Sequence, residues 1–206
     1  MNKLEIKKTT TDYQFEHLGI YIDDTLIDIY LFEHTHKETM KGLISAWFIE
    51  LDSKSEVEYI RECVKIENEE GVSVPILVCP EDLDLWCTVV VAKIIHTKDS
   101  VIWEKVGVVK KDNWNTNYWV NSGIRNFEKW TDAEWEHYGS YFDVYNLDDY
   151  RWDAWISENW KEEERRRIHN YTHEYFNVDE NIDWFKNIPK LIFDKNQYKT
   201  AIDKLL

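Results

Sequence analysis

A chain of 206 residues with 43% hydrophobic side chains can bury the core of one domain, and its six glycines and three prolines exclude a collagen-like, low-complexity or disordered chain. Forty acidic against 25 basic side chains leave a net charge of −15, which repels nucleic acid and anionic lipid, since both are bound by matching phosphate with Lys and Arg. Three cysteines (Cys63, Cys79, Cys87) cannot all pair within the chain, no CxxC spacing exists, and reduced, buried thiols in a cytoplasmic protein are expected.

The N-terminal stretch MNKLEIKKTTTDYQFEHLGIYIDD has no apolar run of signal-peptide length, and no later stretch is long enough to span a bilayer. Phe15 to Tyr21 and Leu26 to Phe32 are rich in β-branched and aromatic residues. With Ile22-Asp23-Asp24-Thr25 between them they predict a hairpin. Leu43 to Leu51 predicts a third strand. Ser55 to Ile66 places Val57, Ile60 and Val64 at helical spacing and predicts a short helix. Val74 to Val78, Leu85 to Ile95 and Val101 to Val109 predict strands, the last two paired across the turn His96 to Ser100. Val89, Val91, Ile94, Ile102 and Val106 are the expected core positions of this block.

After residue 111 the pattern changes. Thr131 and Glu134 have capping-box spacing and predict a helix start. From Asp148 to Phe176 there is no Gly or Pro, and Trp152, Trp155, Ile156, Trp160, Ile168, Tyr171 and Tyr175 keep helical spacing. Glu162 with Arg166, and Glu163 with Arg167, are i,i+4 pairs of favourable polarity. Asp194 to Gln197 predicts the cap of a terminal helix with Tyr198, Ile202 and Leu205 on one face. The expected architecture is α+β in a single domain, 1–206: a mainly antiparallel sheet over 1–111, packed against a Trp-rich, mainly helical half over 112–206.

Charge is unevenly shared. Residues 112–164 carry 13 acidic against 4 basic side chains, a net −9, and hold seven of the eleven Trp. Aromatic anchors among carboxylates suit a basic protein partner, because Trp and Tyr supply contact area at low entropic cost and acids complement Lys and Arg. Asp132, Glu136, Asp143, Asp148, Asp149, Asp153 and Glu158 are the candidate partner-binding residues. The competing reading has Trp152, Trp155, Ile156 and Trp160 buried against the sheet, with the acids as a solvated face.

Catalytic and metal chemistry has little support in the sequence. His34 and His36 would share a face on a strand, but Glu33, Lys37 and Glu38 beside them suggest an exposed turn. His169 and His173 have zinc-site spacing, but Asn170 stands where a water-activating Glu would be, and Arg165, Arg166 and Arg167 would repel a cation. There is no GxSxG elbow, and the glycines are too scattered for a phosphate-binding loop. Neither a catalytic residue nor a stoichiometric metal or other cofactor is expected.

The stretch CPEDLDLWCTVVVAKIIHTKDSVIWEKVGVV, followed by the terminal LIFDKNQYKTAID, resembles segments of bacterial immunity proteins of polymorphic toxin systems. The resemblance implies an intracellular α+β protein that binds and blocks a cognate toxin, often a nuclease. Such families bind through variable surfaces, so no functional residue is carried over. The expected function is stoichiometric binding of a basic, nuclease-type toxin, without contact to nucleic acid or membrane. The alternative is a small enzyme or ligand-binding protein with an aromatic-lined cleft for a sugar or nucleotide.

Overall fold

A computed structural model of the chain describes residues 1–10, 16–49 and 51–203. Phe15, Glu50 and Leu205, which enter the expected elements above, lie outside the described residues. In chain order the strands and helices are β1 (Leu4–Thr10), β2 (Glu16–Ile22), β3 (Thr25–Leu26), α1 (Ile27–Thr35), β4 (Ile44–Ser45), α2 (Lys54–Lys65), β5 (Val72–Val78), β6 (Val89–His96), β7 (Ser100–Val109), α3 (Thr116–Asn121), α4 (Asp132–Tyr138), α5 (Tyr150–Glu158), α6 (Trp160–Arg167), a π-helical turn (Ile168–Thr172), α7 (His173–Phe176), β8 (Ile182–Trp184), β9 (Leu191–Asp194) and α8 (Lys195–Ile202). The class is α+β, and every strand pair is antiparallel.

The chain divides into two compact units, residues 1–111 with 176–206, and residues 112–175. The first holds a small sheet in the order β1-β2-β3 and a larger one in the order β4-β5-β6-β7-β8, with β9 also on β7. One half of β7 pairs with β9 (Ser100↔Asp194 to Trp103↔Leu191) and the other with β8 (Gly107↔Trp184 to Val109↔Ile182). The second unit is therefore inserted in the chain between two paired strands, β7 and β8, next to whose pairing the Lys110 N–H donates to the Asn181 carbonyl at 2.8 Å.

The β6–β7 pairing is found as expected, and Val89, Val91, Ile94 and Val106 are buried while Ile102 is partly exposed. A bulge explains the difference. Lys93 faces Lys105 and Ile94 faces Trp103, so Glu104 is the extra residue, and the inward set moves from Val101 and Trp103 to Val106. β6 begins at Val89 rather than Leu85, because residues 79–88 form the connection from β5. α2 lies where the helical spacing placed it, with Ser53 accepting from the Glu56 N–H.

Two expected strands are corrected. Ile22 to Thr25 is the expected turn, with Asp23 and Asp24 at φ 48° and 69°, but its second strand stops at Leu26. From Ile27 the chain is helical, since Ile27, Tyr30 and Leu31 at i, i+3, i+4 are buried together; core packing overrode β propensity. The Leu43 to Leu51 run is extended only at Ile44–Ser45. It then turns to put Trp47 inside, where its indole N–H donates to the Pro75 carbonyl at 2.8 Å. Trp47, Trp103, Phe193 and Tyr198 form an aromatic core for this unit, with ring centroids 5.5–6.3 Å apart along the chain of contacts.

The later half is less uniformly helical than the spacing suggested. β8 and β9 return to the larger sheet, and the helical run from Tyr150 breaks at Asn159 and passes through the π-turn. The local signals are present. Thr131 and Glu134 form a full capping box, and Asp194 accepts from the Gln197 N–H at 2.9 Å.

Candidate functional site

Residues 112–175 build a unit around Trp. Ile124, Trp130, Phe142 and Trp152 form its buried cluster, with Tyr138, Trp155 and Ile156 packed against it. Phe142 and Trp152 stack at 3.9 Å between centroids and 6° between planes. The two buried indoles keep a partner, Trp130 donating to the Ile124 carbonyl at 2.9 Å and Trp152 to Asn146 at 3.1 Å. A second aromatic group joins Trp114, Trp119, Tyr171 and Tyr175, with Trp114 at 4.6 Å from Tyr171 and 5.0 Å from Tyr175.

Beneath these rings lies a buried ion pair. Glu163 is fully buried; it accepts from the Ile124 N–H at 2.7 Å and from Arg167 Nε at 2.7 Å. A Cβ on Gly123 would stand 2.0 Å from a Glu163 carboxylate oxygen, so the close approach requires glycine there. Arg166 pairs with Glu134 at 2.5 Å and with Glu162 at 2.9 Å, its guanidinium about 6 Å from the rings of Tyr138 and Trp155. Burial opposes the charge on Glu134, but the bonds from Thr131 and Arg166 outweigh it and hold the carboxyl below its ordinary range.

The seven candidate acids all belong to this unit, and six are exposed; Asp149 is partly buried. They divide by role. Asp149 caps α5 by accepting from the Arg151 N–H, and its ion pair with that residue at 2.8 Å lowers its pKa. Asp153 pairs with Arg125 at 2.7 Å, and Asp143 accepts from the Tyr145 N–H at 3.1 Å. Asp132, Glu136, Asp148 and Glu158 make no ion pair among the described residues. Asp132 and Glu136, one turn apart on α4, lie on the same side of that helix.

The aromatic residues split between core and surface. Trp130 and Trp152 are buried in the unit's own cluster. Trp135 and Trp160 are exposed, and the segment joining α4 to α5 presents Tyr141, Tyr145 (97% exposed), Leu147 and Tyr150 (77% exposed) among Asp143, Asp148 and Asp149. Of these rings the most exposed are Tyr rather than Trp. The same unit contains a cleft of about 340 Å³ lined by Tyr118, Phe127, Tyr171, Asn121, Asn170 and Arg125, among others.

The two histidine pairs do not gain support as metal sites. His34 is on α1, its ring bonded to the Tyr30 carbonyl at 2.8 Å, and His36 ends the helix in a left-handed conformation, so the strand geometry that would align them is absent. His173 is pushed below its ordinary pKa by burial and by His169. A different cluster escaped the sequence reading. Cys79, Asp82 and Cys87 place their side-chain donor atoms within 4.8 Å of one another, brought together by the β5–β6 connection. The bond to Asp82, with burial and Cys79, pushes the Cys87 thiol up to about 11, while burial pushes Cys63 up to about 12. Among the described residues no helix is long and apolar enough to cross a membrane. No family model matches the chain, and no curated protein or solved structure shows significant similarity to it.

Proposed function

We propose that this chain is a non-catalytic binding protein that engages a basic protein partner through the acidic, Tyr-bearing surface of residues 132–158. The observation that carries the reading is the α4–α5 segment, where Tyr145 and Tyr150 stand largely in solvent beside Asp143 and the unpaired Asp148. Exposed Tyr rings flanked by acids supply the anchor and the rim that a Lys- and Arg-rich surface requires. The unit that bears them is inserted between paired strands, a place where a fold tolerates chain devoted to recognition. The sharpest form of the proposal is stoichiometric neutralisation of a cognate, basic, nuclease-type toxin inside the cell, without contact to nucleic acid or membrane.

The test begins with capture of the partner from the native host and its identification by mass spectrometry. Affinity is then compared for wild type, Tyr145→Ala/Tyr150→Ala and Tyr118→Ala. Loss of two anchoring rings weakens binding by about tenfold or more, since a hot-spot side chain contributes over about 1–2 kcal/mol. Equal affinity of wild type and the double variant would sink the surface. The second reading rests on the 340 Å³ cleft, whose Tyr, Asn and Arg lining suits a sugar or nucleotide. It expects small-ligand binding that Tyr118→Ala abolishes and the double variant leaves intact.

A further inference from the structure

The connection between β5 and β6 reads CPEDLDLWC over residues 79–87. Its ends are held by the pairing of Val78 with Val89 and by the Cys79 N–H donating to the Thr88 carbonyl at 3.1 Å. Within it, the Leu83 N–H donates to the Cys79 carbonyl at 3.2 Å, and Leu83 itself adopts a left-handed φ of 49°. The Asp84 carboxylate accepts from the N–H groups of Trp86 and Cys87, each at 2.9 Å. From outside, the Asp52 N–H donates to the Leu83 carbonyl and Lys111 Nζ to the Leu85 carbonyl, both at 3.0 Å. The three side chains meet one another: the Cys87 thiol is bonded to Asp82 and Cys79, and the two sulfurs and a carboxylate oxygen all lie within 4.8 Å of one another.

We propose that Cys79, Asp82 and Cys87 form a binding site for one divalent cation of the zinc class, held by two thiolates and one carboxylate oxygen with water in the fourth position. The donor set selects the ion. Thiolate sulfur favours zinc over magnesium or calcium, which take oxygen donors. Zinc–sulfur bonds of about 2.3 Å in a tetrahedron put the two sulfurs about 3.8 Å apart, a separation compatible with donor atoms that lie within 4.8 Å of one another. Because the backbone is already fixed by its own bonds, the ion has little of the loop to order. Charge also closes. Two thiolates and a carboxylate with a divalent ion carry one net negative charge, and the Lys111 ammonium, bonded to the Leu85 carbonyl of the loop, offsets it. Binding sends the two thiol protons to solvent. Cys63, on α2, lies outside the cluster.

The experiment uses the full chain, reduced and freed of metal by a chelator, titrated with Co²⁺ as a spectroscopic probe and then with Zn²⁺. Uptake of one Co²⁺ per chain, with thiolate-to-metal charge-transfer bands, tetrahedral d–d bands and displacement by Zn²⁺, is the expected result. Cys79→Ser and Cys87→Ser each lose stoichiometric uptake, Asp82→Asn binds more weakly, and Cys63→Ala keeps the bands. Circular dichroism of each variant separates loss of the site from loss of the fold. The proposal is overturned if the reduced, folded wild type takes up no Co²⁺. It is equally overturned if a folded Cys79→Ser/Cys87→Ser variant binds as wild type does.

Discussion

His96 ends β6 and is 7% exposed, with its Nδ1 lacking a hydrogen-bond partner among the described residues. Burial lowers its pKa below the ordinary 6.5; Glu67 pulls it back up and Lys195 pushes it further down, while Lys65, Lys199 and Asp203 line the same cavity. The folded imidazole thus resists a proton that the unfolded chain accepts below 6.5. Stability from this group is complete above that pH and falls as pH drops below it. Urea unfolding at about pH 7.5 and about pH 5.5 should show a smaller acid loss in His96→Gln than in wild type. An identical loss in both would show that His96 does not report the shift. At this scale the legible features were those fixed by near neighbours in sequence. The Thr131 and Asp194 caps and the Glu162–Arg166 and Glu163–Arg167 pairs all formed, because their partners are three or four residues apart. The Cys79–Asp82–Cys87 convergence was not legible, since it depends on which residues of two strands face each other.

At the scale of elements, a strand buried on both faces was legible as an apolar run rather than by alternation. β5 is buried at every position from Val72 to Val78, so its sequence shows no alternation, and its interior Pro75 is accommodated where a bulge shifts the register toward Leu77. The helix α1 was not legible. Its Ile, Tyr, Leu and Phe suit a strand, and only the packing of Ile27 with Tyr30 and Leu31 decides for a helix. The bulge in β7 supplies a sharper test. Ile94 is 1% exposed on β6, where it faces the buried Trp103, while Ile102, next to Trp103 on β7, is partly exposed. Ile94→Ala should cost about 2–4 kcal/mol in denaturant unfolding, and Ile102→Ala less than about half of that. Equal costs would mean that the bulge does not turn Ile102 away from the core.

Over the whole molecule, the change in composition near residue 111 coincides with the point at which the chain leaves the first unit, at Lys111. The return at Phe176 was not legible. The residues that rejoin the sheet, Ile182 to Trp184 and Leu191 to Asp194, are too short to show strand periodicity and are read as strands through their pairing with β7. The charge of −15 is likewise a property of the whole, and the proposed binding surface claims that its position matters rather than its sum. Surface charges act mainly on encounter rate, and salt screens them over a Debye length of about 8 Å at physiological ionic strength. Asp149 and Asp153 are poor residues to reverse, because one caps α5 and the other pairs with Arg125. Glu136, Asp148 and Glu158 are exposed and unpaired, so their change to Lys reverses surface charge while leaving the helix cap and ion pairs in place. Glu69, Glu70 and Glu81, exposed in the first unit, serve as the matched control; Glu67 does not, since it pairs with Lys195 at 2.8 Å. The triple change in the second unit should slow association with the basic partner about tenfold or more at low salt, and the difference from wild type should shrink as salt rises. The control triple should associate nearly as fast as wild type. Equal slowing by both sets would mean that net charge alone steers the encounter, and no slowing by either would leave these acids as a solvated face.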